Sequence, residues 1–136
     1  PDAQQLAEKA AGMLVIPLVT EAGFGLGGGF GRGALRVSDA NVDYYSAASA
    51  SAGLQIGAQQ YSHVLFFMTE NALLDFRASQ GWAAGVNVEY VFRDQGDSLN
   101  ADTTTTLSPV VAVVFAQVGL RLGATLDGIK YTRIIP

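Results

Sequence analysis

Two arginines lie four residues apart in a stretch that alternates like a β-strand. In "GFGLGGGFGRG", Gly23 to Gly33, glycine occupies every odd position, and the even positions carry Phe24, Leu26, Gly28, Phe30 and Arg32. The alternation continues through Ala34 to Arg36, so a strand would set Phe24, Leu26, Phe30, Arg32 and Arg36 on one side. Guanidinium groups grip phosphate in a bidentate way, and aromatic and aliphatic side chains beside them suit an acyl chain. The set therefore fits an amphiphilic anion, apolar at one end and phosphate-bearing at the other. The ordinary alternative is that the rings are core and the arginines pair with Asp39, Asp43 or water.

Other candidate chemistry is sparse. His63 is the only histidine and the chain has no cysteine, so a zinc site, a thiolate nucleophile and a disulfide framework have no basis here. A hydrolase built on His63 would need a serine and an acid placed around it, and no such set is visible, so a structural or solvent-facing role is expected for it. Gly23, Gly25 and Gly28 match G-x-G-x-x-G, but strand periodicity runs on where a dinucleotide site needs a helix to open. No Gly-Lys-Ser/Thr follows, which excludes a P-loop. Asp94, Asp97 and Asp102 do not keep the spacing of a calcium loop. Glu70 and Asp75 do not share a helical face, so no paired-carboxylate site stands out. No cofactor is called for, and a non-enzymatic role is expected.

The elements that must position the arginines follow from periodicity. "AQQLAEKAAGM" spaces Leu6, Ala7, Ala10 and Ala11 as one face of a short N-terminal amphipathic helix. "MLVIPLV" reads as a strand whose Pro17 implies an edge or a bulge. The glycine strand follows, its bare face expected to let another backbone approach closely, as a helix laid across it or a tightly curled wall. The run from Val42 to Met68 is too long for one straight strand and is expected to divide near Gly53 or Gly57. Its second half sets Leu54, Ile56, Ala58, Val64, Phe66 and Met68 on one side and Gln55, Gln59, Tyr61 and His63 on the other, as in a half-buried strand. "TENALLDFRAS" has Thr69 as N-cap, Glu70 in the first turn, and Leu73 and Phe76 three apart, which makes one interior helix. "GWAAGVNVEYVF" resumes alternation, and "RDQGDSLNADTTTT" is a polar loop. "PVVAVVF" is apolar on both faces, as in a central strand, and "GIKYTRII" is a last strand. The expected fold is a single α+β domain over residues 1–136, mainly an antiparallel curled sheet or small barrel-like sheet, with an N-terminal helix and one interior helix.

Composition narrows the partners. With 136 residues and 49% hydrophobic residues, the chain can bury a real core. A net charge of −4 with only 8 basic residues is the wrong sign for nucleic acid. "LSPVVAVVFAQVGL" is polar-interrupted and falls short of the roughly 18 apolar residues of a spanning helix. The opening "PDAQQ" suits a processed precursor or a trimmed chain, so export with a removed signal or lipid-attachment segment is an expectation.

The stretches "VTEAGFGLGGGFGRGAL", "SAGLQIGAQ", "LFFMTENALLDF", "GLRLGATLDG" and "YTRI" together resemble the SYLF domain, also called the Ysc84 domain, in order and spacing from about Gly12 to Ile134. The resemblance implies a lipid-binding module: eukaryotic members bind phosphoinositides and membranes, some fungal ones bind actin, and bacterial relatives are secreted or lipid-anchored envelope proteins. Glu21 stands where the family often has lysine, and the eukaryotic glycine-rich segment ending in Gly-Pro is replaced by "NVEYVFRDQGDSLNADTTTT". Both departures point away from phosphoinositides and actin, toward an anionic glycerophospholipid or membrane surface in the periplasm or at the outer membrane. Arg32 occupies a position where the family tends to be basic. Arg36, Lys130 and Arg133 are further candidates for phosphate, and Phe24, Leu26 and Phe30 for apolar contact. The alternative is an envelope structural or protein-interaction module using a sheet edge or the Gln55, Gln59 and Tyr61 face.

Overall fold

A computed structural model describes residues 8–21, 29–38, 40–49, 60–79, 81–83, 90–94, 109–115 and 129–135. Within these, strands β1 (Gly12–Glu21), β2 (Gly29–Val37), β3 (Ala40–Ser49) and β4 (Gln60–Phe67) precede a helix, α1 (Glu70–Ala78). Strands β5 (Trp82–Ala83), β6 (Val91–Asp94), β7 (Val110–Phe115) and β8 (Ile129–Ile134) follow it. All eight form one curled sheet in the order β5-β8-β3-β2-β1-β4-β7-β6, antiparallel except for the β6–β7 pair.

The N-terminal end corrects one expectation. Glu8 and Lys9 are helical, but strand begins at Gly12, so a helix through Met13 is not supported; residues 1–7 lie outside the described residues. Met13 pairs with Arg36 and Phe66, and its role is to extend the sheet.

Pro17 marks a bulge in the interior of the sheet. Between Val15 and Val19 β1 spends one more residue than β2, and between Ile16 and Val19 one more than β4. A proline cannot donate to a ladder, and a bulge is where a central strand tolerates it. The extra residue turns Pro17 and Leu18 outward, with Leu18 half exposed. The bare face of β2 accommodates this bend: a Cβ on Gly31 would stand 2.5 Å from the Leu18 carbonyl oxygen, and one on Gly33 would collide with the Val15 carbonyl oxygen. The backbone that approaches the glycines is thus the neighbouring strand, as in a curled wall.

Helix α1 keeps its expected cap, with the Thr69 hydroxyl accepting from the Ala72 N–H at 3.1 Å. It lies on the inner face of the sheet and buries Ala72, Leu73 and Phe76. The Phe76 ring stands 4.5 Å from Tyr45, 4.6 Å from Phe67 and 5.2 Å from Trp82, centroid to centroid. Such pairs add to their burial about 0.5–1.5 kcal/mol each. Strand β7 is buried on both faces from Val110 to Val114, because Val111 and Val113 join Phe66 and Met68 in a second apolar cluster on the outer side.

Strand β4 departs from the expected half-buried pattern. Tyr61 and His63 point with Leu65 and Phe67 into the main core, and Phe66 and Met68 are buried on the other side. Tyr61 is therefore not part of an exposed polar face; Leu54, Gln55, Ile56, Ala58 and Gln59 lie outside the described residues, apart from the backbone of Gln60 onward.

Candidate functional site

Pairing register decides which candidate residues share a surface. Across β2, β3 and β8, Phe30 lies level with Ala48 and Lys130, Arg32 with Ser46 and Thr132, and Ala34 with Tyr44 and Ile134. Side chains level with one another in neighbouring strands point the same way, and strands stand about 4.8 Å apart. These three rows face outward, opposite Tyr45, Ala47, Ile129 and Tyr131, which are buried in the main core.

Between the rows runs an open groove of about 780 Å³, lined by Val15 and Pro17 of β1, the outer residues of β2, Asn41, Tyr44 and Ser46 of β3, and Ile134 and Ile135. That size is in the range of small-ligand sites, roughly 300–1,000 Å³. Its apolar members are unusually open: Phe30 is 49% exposed and Tyr44 40%. The Arg32 guanidinium lies over the Phe30 ring, 5.6 Å from its centroid, and among the described residues no carboxylate pairs with it. Arg36 donates to the Asn41 side-chain oxygen at 3.0 Å, which fixes it at the far end of the groove.

The structure brings Phe30, Arg32, Arg36 and Lys130 to one face, and Arg133 to the other. Arg133 is level with Tyr45, and its guanidinium lies 3.8 Å from the Asp43 carboxylate, which also accepts from Arg77 at 3.2 Å. Asp43 thus joins α1, β3 and β8 on the inner side; it does not neutralise Arg32. Phe24 and Leu26 lie outside the described residues. Asn41, Tyr44 and Ser46 line the groove although sequence reading did not select them. Their signal was the alternation of β3, but only its register against β2 tells that they meet Arg32 and Arg36.

His63 is far from this surface in character. It is fully buried, with Nε2 2.7 Å from the Tyr131 hydroxyl, and Nδ1 has no hydrogen-bond partner among the described residues. Burial holds its imidazole down to about 3, so it is neutral at ordinary pH. Burial, and then the neighbouring Tyr61 and Tyr90, push the Tyr131 phenol well up. Neither group is poised for proton transfer near neutrality, and no serine–carboxylate arrangement accompanies them among the described residues. The histidine is structural.

Comparison with known proteins bears on the same architecture. A family model described as "Ysc84: Las17-binding protein actin regulator" matches residues 48–133, more than half of the chain, from the end of β3 through most of β8. The matched segment takes in α1, Lys130 and Arg133; Arg32 and Arg36 precede it. No curated protein matches the chain. The family is one of binding domains, connected with lipids and actin regulation, and is not a known enzyme family. A curled, largely antiparallel sheet with one interior helix, built over a sequence that this family model covers from strand β3 to strand β8, makes the chain a member of the Ysc84, or SYLF, family.

Proposed function

We propose that this domain is a non-enzymatic module that binds an anionic phospholipid, or a membrane surface rich in one, through the outer groove of β2, β3 and β8. The observation that carries the reading is Arg32: a guanidinium without a carboxylate partner among the described residues, stacked on a half-exposed phenylalanine at an apolar-lined groove. Arg32 supplies the phosphate contact, Arg36 and Lys130 add positive charge on the same face, and Phe30, Tyr44 and Leu18 offer apolar contact to acyl chains. Arg133 is tied to Asp43 on the inner side and contributes less. Each basic residue near an anionic surface is worth about 1 kcal/mol, so binding is salt-sensitive. Export to a bacterial cell envelope, in the periplasm or at the outer membrane, and attachment through a lipid belong to the same proposal.

The family description names protein binding, which supports a second reading as a protein-interaction module of the envelope. Actin remains the less fitting partner on the sequence departures above. Co-sedimentation with vesicles separates the readings. The lipid reading expects wild type to pellet with anionic and not neutral vesicles, to be released by salt, and to lose binding on Arg32→Glu while staying folded. A protein that pellets with neither vesicle overturns it.

A further inference from the structure

Beyond its arginines, the groove is lined by uncharged hydrogen-bonding groups. Ser46 lies level with Arg32, and Tyr44 lies level with Ala34 between the two arginines. Asn41 uses its side-chain oxygen for Arg36, which leaves its amide N–H groups as donors toward the groove. The Ser46 hydroxyl donates only a long bond, 3.4 Å, to the Thr132 carbonyl and keeps its lone pairs as acceptors. Among the described residues that line the groove there is no aspartate or glutamate.

That inventory discriminates among headgroups of equal net charge. The ammonium of a serine headgroup would meet guanidinium groups and find no carboxylate among the described lining residues to receive it. A neutral polyol both donates and accepts, and Ser46, Tyr44 and Asn41 answer it without adding charge. We infer that the groove selects a phosphodiester whose second substituent is a neutral polyol, the chemistry of a glycerol-type phospholipid headgroup, with Arg32 on the phosphate and Ser46 and Tyr44 on the hydroxyls. The inference rests on the phospholipid reading above and names its ligand class.

The test compares vesicles of phosphatidylcholine mixed with equal fractions of either phosphatidylglycerol or phosphatidylserine, at one ionic strength. Wild type binds the phosphatidylglycerol vesicles roughly 5-fold more tightly, the scale of one hydrogen bond. The double variant Tyr44→Phe with Ser46→Ala keeps net charge and ring area, retains salt-sensitive binding to both, and loses the preference. Tyr44→Phe alone, at an exposed site where folding is not at stake, narrows the preference part of the way. Equal binding of both vesicles by wild type overturns the inference and leaves the phospholipid reading standing; so does a preference that survives the double variant. Binding to neither vesicle overturns the phospholipid reading and this inference with it. Soluble glycerophosphoglycerol tests the source: weak competition against the vesicles agrees with a membrane lipid, whereas binding as tight as that of the vesicles makes the ligand a free phosphodiester and overturns the lipid assignment.

Discussion

The two faces of β2, β3 and β8 are made by the same strands and do opposite work. Inward, Leu35, Tyr45, Ala47, Ile129 and Tyr131 are buried against α1 and its aromatic neighbours. Outward, one residue along each strand, Phe30, Arg32, Tyr44 and Lys130 stay open to solvent. Since side chains alternate with a period of two, each strand writes two messages at once, one for the core and one for the solvent-facing groove. A substitution on one face leaves the other readable, which makes the comparison testable.

The largest expected effect comes from the inner face. Trp82→Ala or Phe76→Ala should lower unfolding free energy in urea by about 3–5 kcal/mol, whereas Phe30→Ala should lower it by less than about 1 kcal/mol because its ring is already half wet. Equal losses at the two sites would mean that Phe30 is core after all. Next, Gly33→Ala tests whether the glycine face exists for the bulge. The added Cβ meets the Val15 carbonyl, and overpacking of that kind costs about 1–3 kcal/mol; a neutral result in thermal melts would break the account of β2.

The buried histidine gives a pH signature that belongs to the inner face alone. With the folded pKa about 3 and the unfolded one at its ordinary 6.5, the unfolded chain binds the extra proton between those limits. Stability therefore falls as pH drops, and between pH 7 and pH 5 the loss from this group is about 2 kcal/mol. His63→Gln keeps a hydrogen-bonding group beside Tyr131 but does not titrate; urea curves at the two pH values should show the extra loss only in wild type. The smallest stability effect is predicted for Arg32→Glu, within about 0.5 kcal/mol, since the site is exposed. Its loss of anionic-vesicle binding beside an unchanged melt would sharpen the division of labour between the faces.

Much of this architecture is legible from residues whose local chemistry is self-sufficient. Thr69, Leu73 and Phe76 declare α1 because capping and helical spacing act within a few residues. Pro17 announces an edge or a bulge, of which the sheet shows the bulge, and the glycine alternation fixes the phase of β2, for the same local reason. What escapes is whatever depends on distant pairing. Arg32 and Arg133 both read as phosphate candidates in sequence, yet the register of β8 on β3 puts them on opposite faces. Tyr61 and His63 look like a polar face because both sides of β4 are covered and no solvent-facing row exists to show which way is out. Their shared parity with Leu65 and Phe67 was the available clue. The N-terminal end misleads in the other direction: small alanines at helical spacing suit a helix, but the helical run stops before Gly12 because the chain there is taken into the sheet.

The hydrogen bond from Ser46 to Thr132 spans 86 positions of sequence, and β8 is the last of the described strands. Strand β3 must therefore wait with one edge unpaired until the C-terminal residues arrive, and closing so long a loop is slow. Without Ile134 and Ile135 the groove lacks the wall that the β8 end contributes, whatever the other strands have formed. The groove is thus completed by the strand pairing of widest sequence separation among those that line it.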